Sequence, residues 1–177
     1  MLPSIFYHCT NTDHGPVLEC KRLAPKCTSA KEPKTPRLCV APSVAQCFAA
    51  RLFDVAPVHV YRTKDKRCGI APVDVWDRCV TNERWLIPPM QLVKHGTVPK
   101  GVVELVTKHA RRAACIKRGF TLHLRVCQYA VAAEFLGTSK DKRRAARCLE
   151  ALKIQCPYGY FRTVILDAAS ALTHKSI

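Results

Sequence analysis

At 177 residues and 48% apolar content, this chain is one domain, or one domain with a small appendage, and holds too much apolar material to be disordered. Twenty-nine lysines and arginines against thirteen acidic residues leave a net charge of +16, which favours a polyanionic partner or substrate such as nucleic acid, a nucleotide or an acidic protein surface. Eleven cysteines without a Cys-x-x-Cys pair, seven unclustered glycines and no long uncharged apolar run leave zinc ribbons, phosphate-loop folds and a membrane span without support.

Residues 5–10 are rich in aromatic and apolar types and stop at the turn cluster of Asn11, Asp13, Gly15 and Pro16, which predicts a first strand. Residues 17–23 predict a short helical turn carrying Leu18 and Leu23. Pro25, Pro33 and Pro36 make 24–36 a loop. A short strand is expected at 38–41. A helix follows with Ser43 as N-cap and Val44, Cys47, Phe48 and Leu52 on one apolar face. Residues 58–63 read as a strand and 64–67 as an exposed hairpin-like turn. Further strands are expected at 73–76 and 80–87, the last ended by Pro88 and Pro89. Residues 96–101, with Gly96, Pro99 and Gly101, divide a front domain, 1–98, from a basic extension, 99–177.

The extension opens with a helix over 102–118, striped by Val102, Val106, Ala110, Ala113 and Ile116 and stopped by Gly119. Its other side carries Lys108, Arg111, Arg112 and Arg118. A strand at 120–126 and a short helix at 127–136, ended by Gly137, come next. Thr138 and Ser139 then cap a helix to about residue 155, and 160–166 is a last strand. Residues 1–100 carry a net charge of +7 (15 basic, 8 acidic) and 101–177 one of +9 (14 basic, 5 acidic), so the extension is the stronger attractor of polyanions. Lys140, Lys142, Arg143, Arg144 and Arg147 crowd the positive end of a helix dipole, an arrangement most simply understood if an anion binds there. Cys39, Cys47 and Cys127 occupy apolar positions, the cysteine count is odd and no basic-then-apolar leader opens the chain. Free thiols in a reducing, cytoplasmic setting are expected.

Five segments carry a resemblance. His8-Cys9-Thr10, Leu23-Ala24-Pro25, the run from Arg37 to Ser43, Val60-Tyr61-Arg62 and Thr81-Asn82-Glu83-Arg84-Trp85 together resemble small phage and bacterial proteins related to ADP-ribosyltransferases, over about residues 4–95. The resemblance implies an α+β fold with a compact, twisted, split sheet, NAD as substrate, and a host cytoplasm where such a chain is phage-encoded. It places His8 and Thr10 on the ribose of NAD, Ser43 or Tyr61 beside the nicotinamide and Glu83 as the catalytic carboxylate. Breaking the N-glycosidic bond develops oxocarbenium character on the ribose, which a carboxylate near the 2′-hydroxyl stabilises. Arg37 and Arg62 suit the pyrophosphate, because guanidinium forks match phosphate oxygens.

Where many members have an acidic residue or Gln two positions before the glutamate, this chain has Thr81, which points away from arginine-directed protein modification. Nucleic acid or another macromolecule is then the expected acceptor. Lys108, Arg111, Arg112, Arg118, Lys142, Arg143, Arg144 and Arg147 would recruit it. RNA 2′-phosphotransfer suits the same kind of sheet, and a non-catalytic binder of nucleic acid or an acidic protein is the competing class. Structural readings stand beside each residue: His8 as a hydrogen-bonded strand histidine, Glu83 as an ion-pair partner of Arg84, Ser43 as an N-cap and Tyr61 as core. His14 and Cys9 near His8 bring no further ligands, so no metal is expected.

Overall fold

A computed structural model describes residues 5–19, 36–51, 53, 57–64, 78–115 and 121–151. In chain order they form β1 (Tyr7–Thr10), β2 (Val17–Glu19), β3 (Leu38–Val40), α1 (Val44–Ala50), β4 (Val58–Thr63), α2 (Arg78–Thr81), β5 (Arg84–Leu86), β6 (Gln91–Val98), α3 (Lys100–Cys115), α4 (Thr121–Leu136) and α5 (Ser139–Ala151). The architecture is α+β: a curled antiparallel sheet ordered β1-β4-β6-β2, a two-stranded sheet of β3 and β5, and helices.

β4 sets the layers. Its Val-His-Val-Tyr-Arg-Thr sequence alternates, so Val58 and Val60 face one side of the sheet and His59 and Tyr61 the other. The valines join a core with Cys9, Phe48, Val98, Val103, Val106, Val126, Tyr129 and Leu149, which is the helical side. Tyr61 joins a second core with Phe6, Leu18, Leu38, Val40, Leu86 and Leu92, where the β3–β5 sheet covers the opposite face. β6 serves both cores because of a register shift opposite Val60 and Tyr61. The extra residue flips its alternation, sending Leu92 to one core and Val98 to the other.

The structure corrects several expectations. Residues 17–19 are a strand paired with β6, not a helical turn. Gly15, with φ of 76°, turns the chain back, and Lys94 N–H donates to Pro16 O at 2.9 Å, so sheet pairing decides a segment too short to decide itself. Within 80–87, residues up to Thr81 close helix α2, and the strand is confined to Arg84–Leu86. Residues 121–126 begin α4 rather than a strand. Leu122, Leu124 and Val126 alternate as a strand would. Val126, Cys127, Gln128, Tyr129, Val131, Ala132 and Ala133 are nonetheless all buried, as in a helix enclosed by its neighbours, and the alanines favour that state.

β6 runs through Gly96, Pro99 O accepts the first turn of α3 from Val102 and Val103, and residues on both sides share the helical core. The strand at 58–63 and the Ser43 cap fall where the sequence placed them. Thr138 also caps α5 as expected. Its hydroxyl accepts from Asp141 N–H, and the Asp141 carboxylate accepts from Thr138 N–H at 2.9 Å. The expected loop through residue 35, the turn at 65–67, the strands at 73–76 and 160–166, Arg118 and Gly119 lie outside the described residues, as does the Arg112 side chain.

Candidate functional site

β1 touches β3 at one bridge, where Tyr7 and Ala41 exchange backbone hydrogen bonds of 2.7 and 2.9 Å. Beyond it the two strands belong to different sheets: Cys9 pairs with Val60 in β4, and Cys39 with Trp85 in β5. The sheet therefore forks, and His8 stands in the fork. Its Nδ1 lies 2.8 Å from Cys39 O. A carbonyl can only accept, so Nδ1 carries the proton and Nε2 the lone pair. Burial pushes the imidazole pKa below its ordinary value, with His14 and Arg51 acting the same way against the Cys39 hydrogen bond. At neutral pH, His8 is an uncharged ring whose remaining nitrogen accepts.

Glu83 enters beside β3 from the start of β5. Helix α2 ends at Thr81, and Asn82 takes a left-handed conformation, φ 49°, that turns the chain into β5. The buried Thr81 hydroxyl accepts from Glu83 N–H at 3.4 Å. The Glu83 carboxylate accepts the indole N–H of Trp85, with Nε1 2.8 Å from Oε1. Burial first, then the nearby Glu83 charge, push the Cys39 thiol pKa far up against the pull of Arg37. It remains a neutral thiol. Cys39 thus holds His8 with its carbonyl, while its side chain lies in the field of the Glu83 carboxylate.

The other expected site residues divide. His8 pairs with Tyr61, and Thr10 with His59, so these four side chains share the face of the β3–β5 sheet. Tyr61 is fully buried there. Its hydroxyl accepts from His14 N–H at 2.8 Å and lies 3.2 Å from both Asp13 Oδ1 and Gly15 O, so it anchors the 13–15 turn. Arg62 pairs with Tyr7 and leaves the sheet on the opposite, helical face. Arg37 is 2% exposed and stacks over Trp85, 4.0 Å from the ring centroid, which turns the guanidinium face to protein rather than to a pyrophosphate. Ser43 Oγ is occupied by Gln46 N–H at 3.3 Å and by the Asp141 carboxylate at 2.7 Å.

On the basic helices, Lys108, Arg111, Arg143 and Arg147 are exposed. Lys142 pairs with Glu134 at 2.8 Å. Arg144 donates to Cys79 O at 2.8 Å, fastening α5 to the helix that precedes Glu83. The anion at the N-terminus of α5 is the chain's own Asp141, in the first turn.

Cys39, Trp85 and the Asp13 turn were not singled out as site residues. Trp85 lay within a resemblance segment, and its i+2 spacing from Glu83 was the one available signal. Asp13 takes Lys94 Nζ at 2.6 Å, and that hydrogen bond, ahead of the one from Gly15 N–H, holds its carboxyl at about 2. Among the described residues no helix is long and apolar enough to cross a membrane, and no group of three or more His, Cys, Asp or Glu could hold a metal ion. No protein-family model, no curated protein and no solved structure matches this chain.

Proposed function

We infer that this chain is an NAD-dependent ADP-ribosyltransferase-type enzyme, with His8 and Glu83 at its reacting centre and a nucleic acid or other macromolecule as acceptor. The observation that carries the reading is the fork between β1 and β3, where the Cys39 carbonyl fixes a neutral histidine, together with the Glu83 carboxylate held by Trp85 on the neighbouring strand. A neutral imidazole with Nδ1–H committed to protein offers Nε2 to a ribose hydroxyl. The Glu83 carboxylate suits the positive charge that develops on the ribose as nicotinamide leaves. Thr10, on the face of His8, supports the ribose side. Thr81 is buried behind Glu83, so an acceptor is not selected by a side chain two residues before the glutamate. The exposed Lys108, Arg111, Arg143 and Arg147 suit a phosphate backbone.

Incubation with NAD and measurement of free nicotinamide test this reading. Wild type should release nicotinamide, Glu83→Gln should be slower by about 10²–10³-fold, and His8→Ala should also lose release. No release by wild type, with or without nucleic acid, contradicts the enzyme and leaves a basic binding protein.

A further inference from the structure

Glu83 is not an isolated side chain. Trp85 follows it by two residues and donates its indole N–H to Oε1 at 2.8 Å. The indole is itself fixed. It sits directly across from Cys39 in the β3–β5 pairing, and the buried Arg37 guanidinium lies over it at 4.0 Å. A cation over the ring draws on its π density and strengthens the N–H as a donor. A half-buried tryptophan serving only as packing could give its N–H to water. Here it is given to a carboxylate instead.

We propose that Trp85, held by Arg37, is the positioning residue that sets the Glu83 carboxylate for glycosidic-bond cleavage, a role that rests on the reading of Glu83 above. Free in solvent, a glutamate side chain samples several rotamers. The indole N–H removes that freedom by committing Oε1. The carboxylate then meets the ribose already oriented, and no rotamer search is needed as charge develops. Trp85 does not touch the substrate in this scheme. Its effect falls on turnover and not on binding.

The test replaces Trp85 with 3-benzothienylalanine, in which sulfur stands for the N–H and the ring keeps its shape beneath Arg37. Nicotinamide release should fall in kcat by about tenfold to a hundredfold, the worth of one hydrogen bond to an ionised group, while KM for NAD stays within about twofold. In a Glu83→Gln background the same replacement should cost little more, because the group it positions is already gone. An unchanged kcat, a loss confined to KM, or a loss that simply adds to that of Glu83→Gln overturns the positioning role. If wild type responds to Glu83→Gln as expected and the analogue is unimpaired, the positioning role alone falls. If wild type releases no nicotinamide, the reading of the site falls and this role with it.

Discussion

Asp141 is the most heavily bonded carboxylate of the described residues, and its removal should be felt across the helical layer. It is 6% exposed and accepts from Ser43 Oγ at 2.7 Å, Thr138 N–H and Oγ1 at 2.9 Å each, and Tyr129 OH at 3.1 Å. One side chain thereby joins the N-terminus of α1, the middle of α4 and the N-terminus of α5. In Asp141→Ala the Ser43 hydroxyl can turn towards Gln46 Oε1, 3.5 Å away, and the exposed Thr138 backbone can reach water. The Tyr129 hydroxyl, on a side chain with no exposure, is orphaned at about 1–3 kcal/mol, and loss of the α5 cap adds about 1 kcal/mol. With the charge-assisted bond to Ser43 also gone, the sum is about 4 kcal/mol, or a fall in Tm of roughly 8–16 °C for a chain of this size.

Asp141→Asn keeps the volume but turns an amide towards the Thr138 N–H, and should cost about 2 kcal/mol at pH 7. The pH dependence separates the two effects. Burial alone would raise the Asp141 pKa, but the hydrogen bonds from Ser43, Thr138 and Tyr129 outweigh it and hold the carboxyl below its ordinary value. A carboxylate depressed in the fold stabilises above its unfolded pKa, and that contribution is lost as pH falls through the folded one. Thermal unfolding of wild type and Asp141→Asn should therefore differ most at neutral pH and converge below about pH 4. A gap that stays constant from pH 7 to pH 3, or an asparagine variant as stable as wild type, would refute the reasoning.

Gly137→Ala should destabilise by about 2 kcal/mol, because its Cβ would lie 2.6 Å from Ala133 O, 2.7 Å from Ala133 Cα and 2.9 Å from Asp141 Cβ; a lower urea midpoint at unchanged slope checks this. Tyr61→Phe should cost about 1–2 kcal/mol by releasing the His14 N–H and the Asp13 turn, read as a lower Tm. Arg143→Gln with Arg147→Gln should flatten the salt dependence of nucleic-acid binding by up to about 0.9 log unit per lost phosphate contact, with stability nearly unchanged. Arg144→Gln should behave in the opposite way, lowering Tm because Cys79 O loses its donor.

Much of the frame was legible where pattern and chemistry are local. β4 announces itself through β-branched alternation, Ser43 through the turn before an apolar helical face, and α5 through the Thr138 cap. β2 was missed because three residues carry no period, and its state is set by β6, more than seventy residues away in sequence. The start of α4 misled because leucines two apart suit a strand equally well, and enclosure by other helices is not written in any one segment. The site divides in the same way. His8 and Glu83 stand out as candidates by residue type and order. That the Cys39 carbonyl fixes His8, that Arg37 is buried against Trp85 and that Tyr61 spends its hydroxyl on a turn all depend on cross-strand neighbours.

The account is tested most directly by a crystal structure with carba-NAD, which keeps the dinucleotide and cannot be cleaved at the nicotinamide bond. The hydroxyls of the nicotinamide-side ring should lie within hydrogen-bond reach, about 2.6–3.2 Å, of His8 Nε2 and of the Glu83 carboxylate, with Trp85 Nε1 still on Oε1. Carba-NAD bound away from the β1–β3 fork, or no binding at saturating concentration, would contradict it.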